Sequence, residues 1–211
     1  MMKKWFIVSL LVLLGAAGVF WLGKELVKPL PGEAVADLGR EHVPDGTKVN
    51  YNSNPPTSGP HYADWTRAGI YENPVSDGHL IHALEHGYVI VSYNCEKFKK
   101  VSRVPRVPQV SQAFAHEEEL SSTPSAASSP SAELKDDVWS SSKCQDLKKN
   151  LSDLANEKKL SKLIVIPRPN LDSPIALTAW TRIDKFDSFD KERINRFIDT
   201  FRDQGPEKTR E

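Results

Sequence analysis

Imidazole is the commonest protein metal ligand and a proton carrier near neutral pH, and four of this chain's six histidines fall between positions 61 and 86. His61 closes the string Asn54-Pro55-Pro56-Thr57-Ser58-Gly59-Pro60-His61. His79, His82 and His86 follow in Asp77-Gly78-His79-Leu80-Ile81-His82-Ala83-Leu84-Glu85-His86-Gly87. Read as a helix at about 100° per residue, the second string gathers its histidines in an arc of roughly 60°, with Leu80, Ile81 and Leu84 pointing the other way. Ser76 or Asp77 suits the N-cap, and Gly87 suits the left-handed residue that ends a helix. The expectation is a short helix, aliphatic face inward and imidazoles on the opposite face. Two histidines at i and i+4, joined by a third from a stiff loop, offer Zn(II) or Cu(II) a nitrogen-rich site for storage, sensing or delivery. The absence of cysteine or methionine ligands disfavours Cu(I).

Other chemistries share these residues. His82-Ala83-Leu84-Glu85-His86 has the form H-x-x-E-H, in which both histidines hold zinc and the glutamate, here Glu85, activates water. That hydrolase needs a longer helix and a further acidic ligand, whereas Gly87 and a strand follow at once. In a metal-free alternative the imidazoles hydrogen-bond to backbone and to tyrosines such as Tyr51 or Tyr71, organising a structural or interaction module. Ser58 has no oriented acid partner and reads as a turn residue. His116 beside Glu117, Glu118 and Glu119 reads as part of a solvated charge run.

The elements that must hold these side chains follow from composition and pattern. With 211 residues and 39% hydrophobic content the chain supports one core and attachments. A formal net charge of +0, with no basic block, excludes nucleic acid as a partner. Lys3 and Lys4 precede an apolar run over residues 5–22 that is long enough to span a bilayer, with tryptophan at both ends. Residues 1–23 therefore read as a single-pass anchor in the cell membrane, leaving the rest extracytoplasmic. The alternative is a signal cleaved near Ala16-Ala17-Gly18, giving a secreted protein. In an oxidising compartment an even number of cysteines reads first as disulfide, Cys95 with Cys144. A split thioredoxin-like redox pair is the rival reading, but such cysteines normally lie two residues apart at a helix start.

Residues 24–38 read as a linker, the folded domain as 39–205 and residues 206–211 as a tail. Residues 39–71 form a turn-rich, stiff loop, and residues 88–93 a strand. Residues 103–142, rich in serine and proline and without a period, read as a disordered, flexible insertion. Ser142-Lys143-Cys144-Gln145 has capping-box spacing ahead of the helical repeat Leu147, Leu151 and Leu154. Leu163-Ile164-Val165-Ile166 reads as a buried strand, and residues 175–183 as one strand with two unlike faces. Ile194, Phe197, Ile198 and Phe201 share a helix face, closed by Gly205-Pro206. The sum is an α+β fold with a small sheet of three to four strands and about three helices. A disulfide closing a loop of about 50 residues would stabilise it by roughly 4 kcal/mol.

Four segments carry a resemblance. Tyr51-Asn52-Ser53-Asn54-Pro55-Pro56-Thr57-Ser58-Gly59-Pro60-His61-Tyr62, Gly69-Ile70-Tyr71, His82-Ala83-Leu84-Glu85-His86-Gly87 and Ile175-Ala176-Leu177-Thr178-Ala179-Trp180 resemble the hallmark segments of the DUF3105 family. The likeness covers about residue 39 to the last helix. It implies a domain following an export or anchor segment, but no assigned activity. By this resemblance the histidines at motif positions are His42, His61, His82 and His86, which makes His42 a fourth candidate ligand, while His79 falls outside. Members of the family tend to carry their two cysteines close together, whereas here the insertion separates them. Apart from the resemblance, the apolar run and the histidine cluster point to the membrane, through the first helix, and to a metal or a metalloprotein as partners.

Overall fold

The computed structural model describes residues 13–15, 29–98 and 136–209. The expected anchor or signal, apart from residues 13–15, and most of the insertion lie outside the described residues. Among the described residues no helix is long and apolar enough to cross a membrane.

The fold is α+β, built on one mixed sheet. Its strands are β1 (Glu33–Ala34), β2 (Gly69–Ile70), β3 (Val89–Tyr93), β4 (Leu163–Pro167), β5 (Ile175–Ala179) and β6 (Arg182–Phe186), in the order β1-β6-β5-β3-β4-β2. The three or four strands expected become six, because two-residue strands edge the sheet on both sides. Helices α1 (Asp77–Glu85), α2 (Asp136–Trp139), α3 (Ser142–Glu157) and α4 (Lys191–Phe201) complete it, with a 3₁₀ turn at Cys95–Lys97. β3 runs parallel to β4 and antiparallel to β5. Parallel neighbours need a crossover long enough to return the chain to the same end of the sheet, and α3 lies in that connection.

Alternation along the strands divides the core into two layers. Val89, Val91 and Tyr93 face α3 and α4, meeting Leu147, Leu151, Leu154 and the α4 stripe Ile194, Phe197, Ile198 and Phe201. Ile90, Ile164 and Ile166 face Leu80, Ala83 and Leu84 of α1. The histidine-bearing helix thus lies across the sheet from the other two long helices.

Several expected boundaries move. The folded part starts before residue 39, since Glu33 and Ala34 pair with Ile183 and Arg182 inside what reads as linker. Gly32 permits this with φ +70, and a Cβ there would meet the Phe197 ring at 3.0 Å. The strand expected over residues 175–183 is a hairpin. Thr181, at φ 57, reverses the chain and donates its N–H to Thr57 O at 3.1 Å. Nor does β5 have an exposed face, because every one of its residues is buried. The insertion ends before residue 142: buried Trp139 of α2 packs 5.9 Å from the Tyr93 ring and donates Nε1–H to Glu96 at 3.3 Å. Ser141, not Ser142, caps α3 by accepting from Cys144 N. Cys95 and Cys144 are joined as a disulfide, Cα to Cα 5.4 Å, across 49 positions.

Candidate metal centre

Arginine and the chain's own C-terminal segment hold α1 in place. Ser76 precedes the helix but makes no side-chain cap bond. Asp77, in the first turn, instead receives both guanidinium nitrogens of Arg168 from beyond β4, a negative charge where the helix dipole favours one. At the other end Gly87 takes φ +81, as its place after the helix leads one to expect. The last carbonyls of a helix lack intrahelical partners. Here Glu207 N–H donates to Glu85 O at 3.0 Å, Asp203 N–H to Gly87 O at 2.8 Å and Lys162 Nζ to His86 O at 3.0 Å. Gly205 is required at this junction, since a Cβ on it would collide with Glu85 O and Gly87 N.

The imidazole face of α1 is not a surface, contrary to the simple amphipathic reading. His82, Glu85 and His86 are only 5%, 3% and 3% exposed, because the chain from residue 41 to residue 66 covers them. His61 is fully buried. Its backbone N–H donates to Glu41 O at 2.9 Å and its carbonyl accepts from Val43 N at 2.8 Å, so residues 41–43 run parallel beside it and pair His42 with His61. Tyr51 and Tyr71 donate to Pro60 O and Arg67 O. They brace the loops and do not hold the imidazoles, so of the metal-free expectation the tyrosine contacts are not met, whereas the bonds to backbone are, from His61, His79 and His82 to Gly59 O, Asp64 O and Tyr62 O. His79 sits at the rim, Nδ1 2.9 Å from Asp64 O, apart from the cluster.

His42, His61, His82 and Glu85 each direct one ligand atom into a common space, all within 4.8 Å of one another. Ligand atoms around one tetrahedral ion with bonds near 2.1 Å stand about 3.4 Å apart, so the widest-spaced of these atoms would draw closer together around an ion. Three of the four residues are buried, and exposed His42 forms the lip. His61 Nδ1 lies 2.8 Å from Gly59 O and His82 Nδ1 2.8 Å from Tyr62 O. A carbonyl only accepts, so both Nδ1 atoms carry hydrogen and both rings present Nε2 inward. This carbonyl–imidazole pairing is how proteins orient histidine ligands.

Glu85 Oε2 lies 2.9 Å from His61 Nε2, and Oε1 lies 3.4 Å from Arg40 Nη1. With His61 Nδ1 already protonated, the Nε2–Oε2 contact needs a second hydrogen, which an arriving metal ion would replace. Burial above all, then the charges of His86, His61 and His42, holds the His82 pKa below 6.5 against the raising effect of the Tyr62 carbonyl. His82 is therefore neutral at pH 7, the form in which an imidazole nitrogen could hold a metal ion.

The expected ligands His42, His61 and His82 are brought together; His86 is not in the group. Its Nε2 lies 3.1 Å from His82 Nε2 and 3.9 Å from Glu207 Oε1, between the cluster and the C-terminal segment. Glu85, expected only as the water-activating residue of a hydrolase, takes the fourth place. On a helix both i+3 and i+4 share a face with residue i, so the sequence offers Glu85 and His86 equally as companions of His82. The side from which His61 approaches decides between them. Glu207 and Arg40 carry no sequence signal, since each reaches the site through tertiary packing. The H-x-x-E-H hydrolase arrangement requires both helical histidines on the ion and a glutamate free to activate water. That division of roles is not the one built here.

No curated protein and no solved structure matches the chain. The family model described as "Protein of unknown function (DUF3105)" matches residues 42–141 and 137–211, including all four converging side chains, and the chain belongs to that family.

Proposed function

We propose that this is a membrane-anchored, extracytoplasmic protein that binds one divalent transition-metal ion, Zn(II) or Cu(II), at His42, His61, His82 and Glu85, for storage, sensing or delivery. The observation that carries this reading is the pair of Nδ1–H bonds to Gly59 O and Tyr62 O, which turn two buried Nε2 atoms onto one point already faced by a carboxylate. Imidazole with carboxylate suits borderline divalent ions. Both cysteines are in the disulfide, so no thiolate competes for the ion or favours Cu(I). The anchor follows from the apolar run over residues 5–22 and agrees with the disulfide, which forms in oxidising compartments.

Elemental analysis of the full-length chain, purified in detergent and exposed to Zn(II) or Cu(II) before desalting, tests the proposal. The expected result is one ion per chain, absent from a His61→Ala, His82→Ala variant that retains its far-ultraviolet circular dichroism. Glu85→Gln should weaken binding by at least about tenfold, the loss typical even for groups that only orient a ligand. A wild-type chain that retains no metal, with the double variant equally stable, would instead support the metal-free interaction module.

A further inference from the structure

Beyond the four-ligand centre the donor atoms continue outward in single file. Glu207 Oε1 lies 3.9 Å from His86 Nε2, which lies 3.1 Å from His82 Nε2, and His82 belongs to the centre itself. The outermost member is half in solvent, the Glu207 side chain being 50% exposed, whereas that of His86 is 4% exposed. Glu207 is not a loosely placed surface acid. Its N–H is bound to Glu85 O, Gly205 is packed against the end of α1, and Lys162 ties Thr209 O to His86 O.

We propose that Glu207 and His86 form the entry and exit port of the metal centre, holding the ion transiently and passing it to His82 by ligand exchange. This rests on the metal-binding reading above. Approach beside exposed His42 is less suited to a dication, because Arg40, two residues away, places its guanidinium 3.4 Å from Glu85 Oε1. There an approaching ion meets positive charge; at Glu207 it meets a carboxylate, then a nitrogen, while the nearby Lys162 ammonium is paired with Asp203 at 2.9 Å. His82 Nδ1 is engaged by Tyr62 O, so Nε2 is the His82 atom that meets His86 Nε2, and these two nitrogens are the donors an ion would meet in turn.

The test is stopped-flow mixing of the metal-free full-length chain with Co(II), read by its ligand-field absorption. Glu207→Ala, a change at a half-exposed position, should slow uptake about tenfold, at the low end of what a charged approach contributes to on-rates. Glu207→Asp should keep most of the rate, because it retains the carboxylate that draws the cation in, while Glu207→Gln should be about as slow as Glu207→Ala. Uptake unchanged in Glu207→Ala, or as fast in Glu207→Gln as in wild type, overturns the port while leaving the centre standing. A wild-type chain that takes up no Co(II) overturns both.

Discussion

Burial and the surrounding imidazoles hold the His82 pKa below its ordinary 6.5, so the folded ring resists a proton that the unfolded chain accepts. Between the lowered folded value and 6.5 the unfolded state binds more protons, and stability rises with pH across that window. For the chelator-treated protein, this contribution should be complete above pH 6.5 and lost as pH falls through the folded value. Melting temperatures from pH 8 to 5 should therefore drop on the acid side for wild type, and drop less for His82→Gln. Parallel curves for the two proteins would remove His82 as the cause. Loaded with metal, the protein should lose stability more steeply with acid, since ligands must be deprotonated to bind. His61 and His82 could be singled out beforehand because a proline-stiffened string and a helical period each leave a mark in sequence. The choice of Glu85 over His86 could not, because both share a helix face with His82 and only the approach of His61 tells them apart.

Helix α1 and the segment after His61 meet at Gly78, where the fit leaves no room for a methyl group. A Cβ on Gly78 would fall 2.5 to 2.7 Å from three carbons of the Tyr62 ring. Tyr62 N–H donates to Gly78 O at 3.3 Å and Tyr62 O accepts from His82 Nδ1, so the ring cannot move off without disturbing the bond that aims His82. Alanine raises helix propensity by about 1 kcal/mol over glycine, yet overpacking a tight contact costs about 1–3 kcal/mol. Gly78→Ala should therefore lower stability in urea titration and weaken metal binding together. A variant as stable as wild type with unchanged affinity would show that this contact does not position the ligand. The long elements could be read from sequence because periodicity needs length: the α4 stripe and the Leu147, Leu151, Leu154 repeat are both buried as expected. Two-residue β1 and β2 have no period to detect, and the β5–β6 turn uses Trp180 and Thr181 in place of the glycine or asparagine that usually marks a hairpin.

The centre draws on residues from position 42 to position 85, and Glu207 of the C-terminal segment stands beside it, so its geometry depends on the sheet that brings these segments together. Cys95 and Cys144, by contrast, lie in the layer beneath α3 and α4, across the sheet from α1. In the chain-entropy account, a crosslink over 49 positions stabilises by restricting the unfolded chain. Replacing both cysteines by alanine should cost about 4 kcal/mol in urea unfolding, at a temperature where the variant remains mostly folded. Because distant sites with no shared partners contribute independently, the metal affinity of the folded variant should match wild type within about twofold. A redox role for the cysteines at the centre makes the opposite prediction, that reduction or substitution changes affinity while the fold survives. Equal stability with and without the bridge would sink the entropic account, and a folded variant with altered affinity would couple the two faces of the sheet.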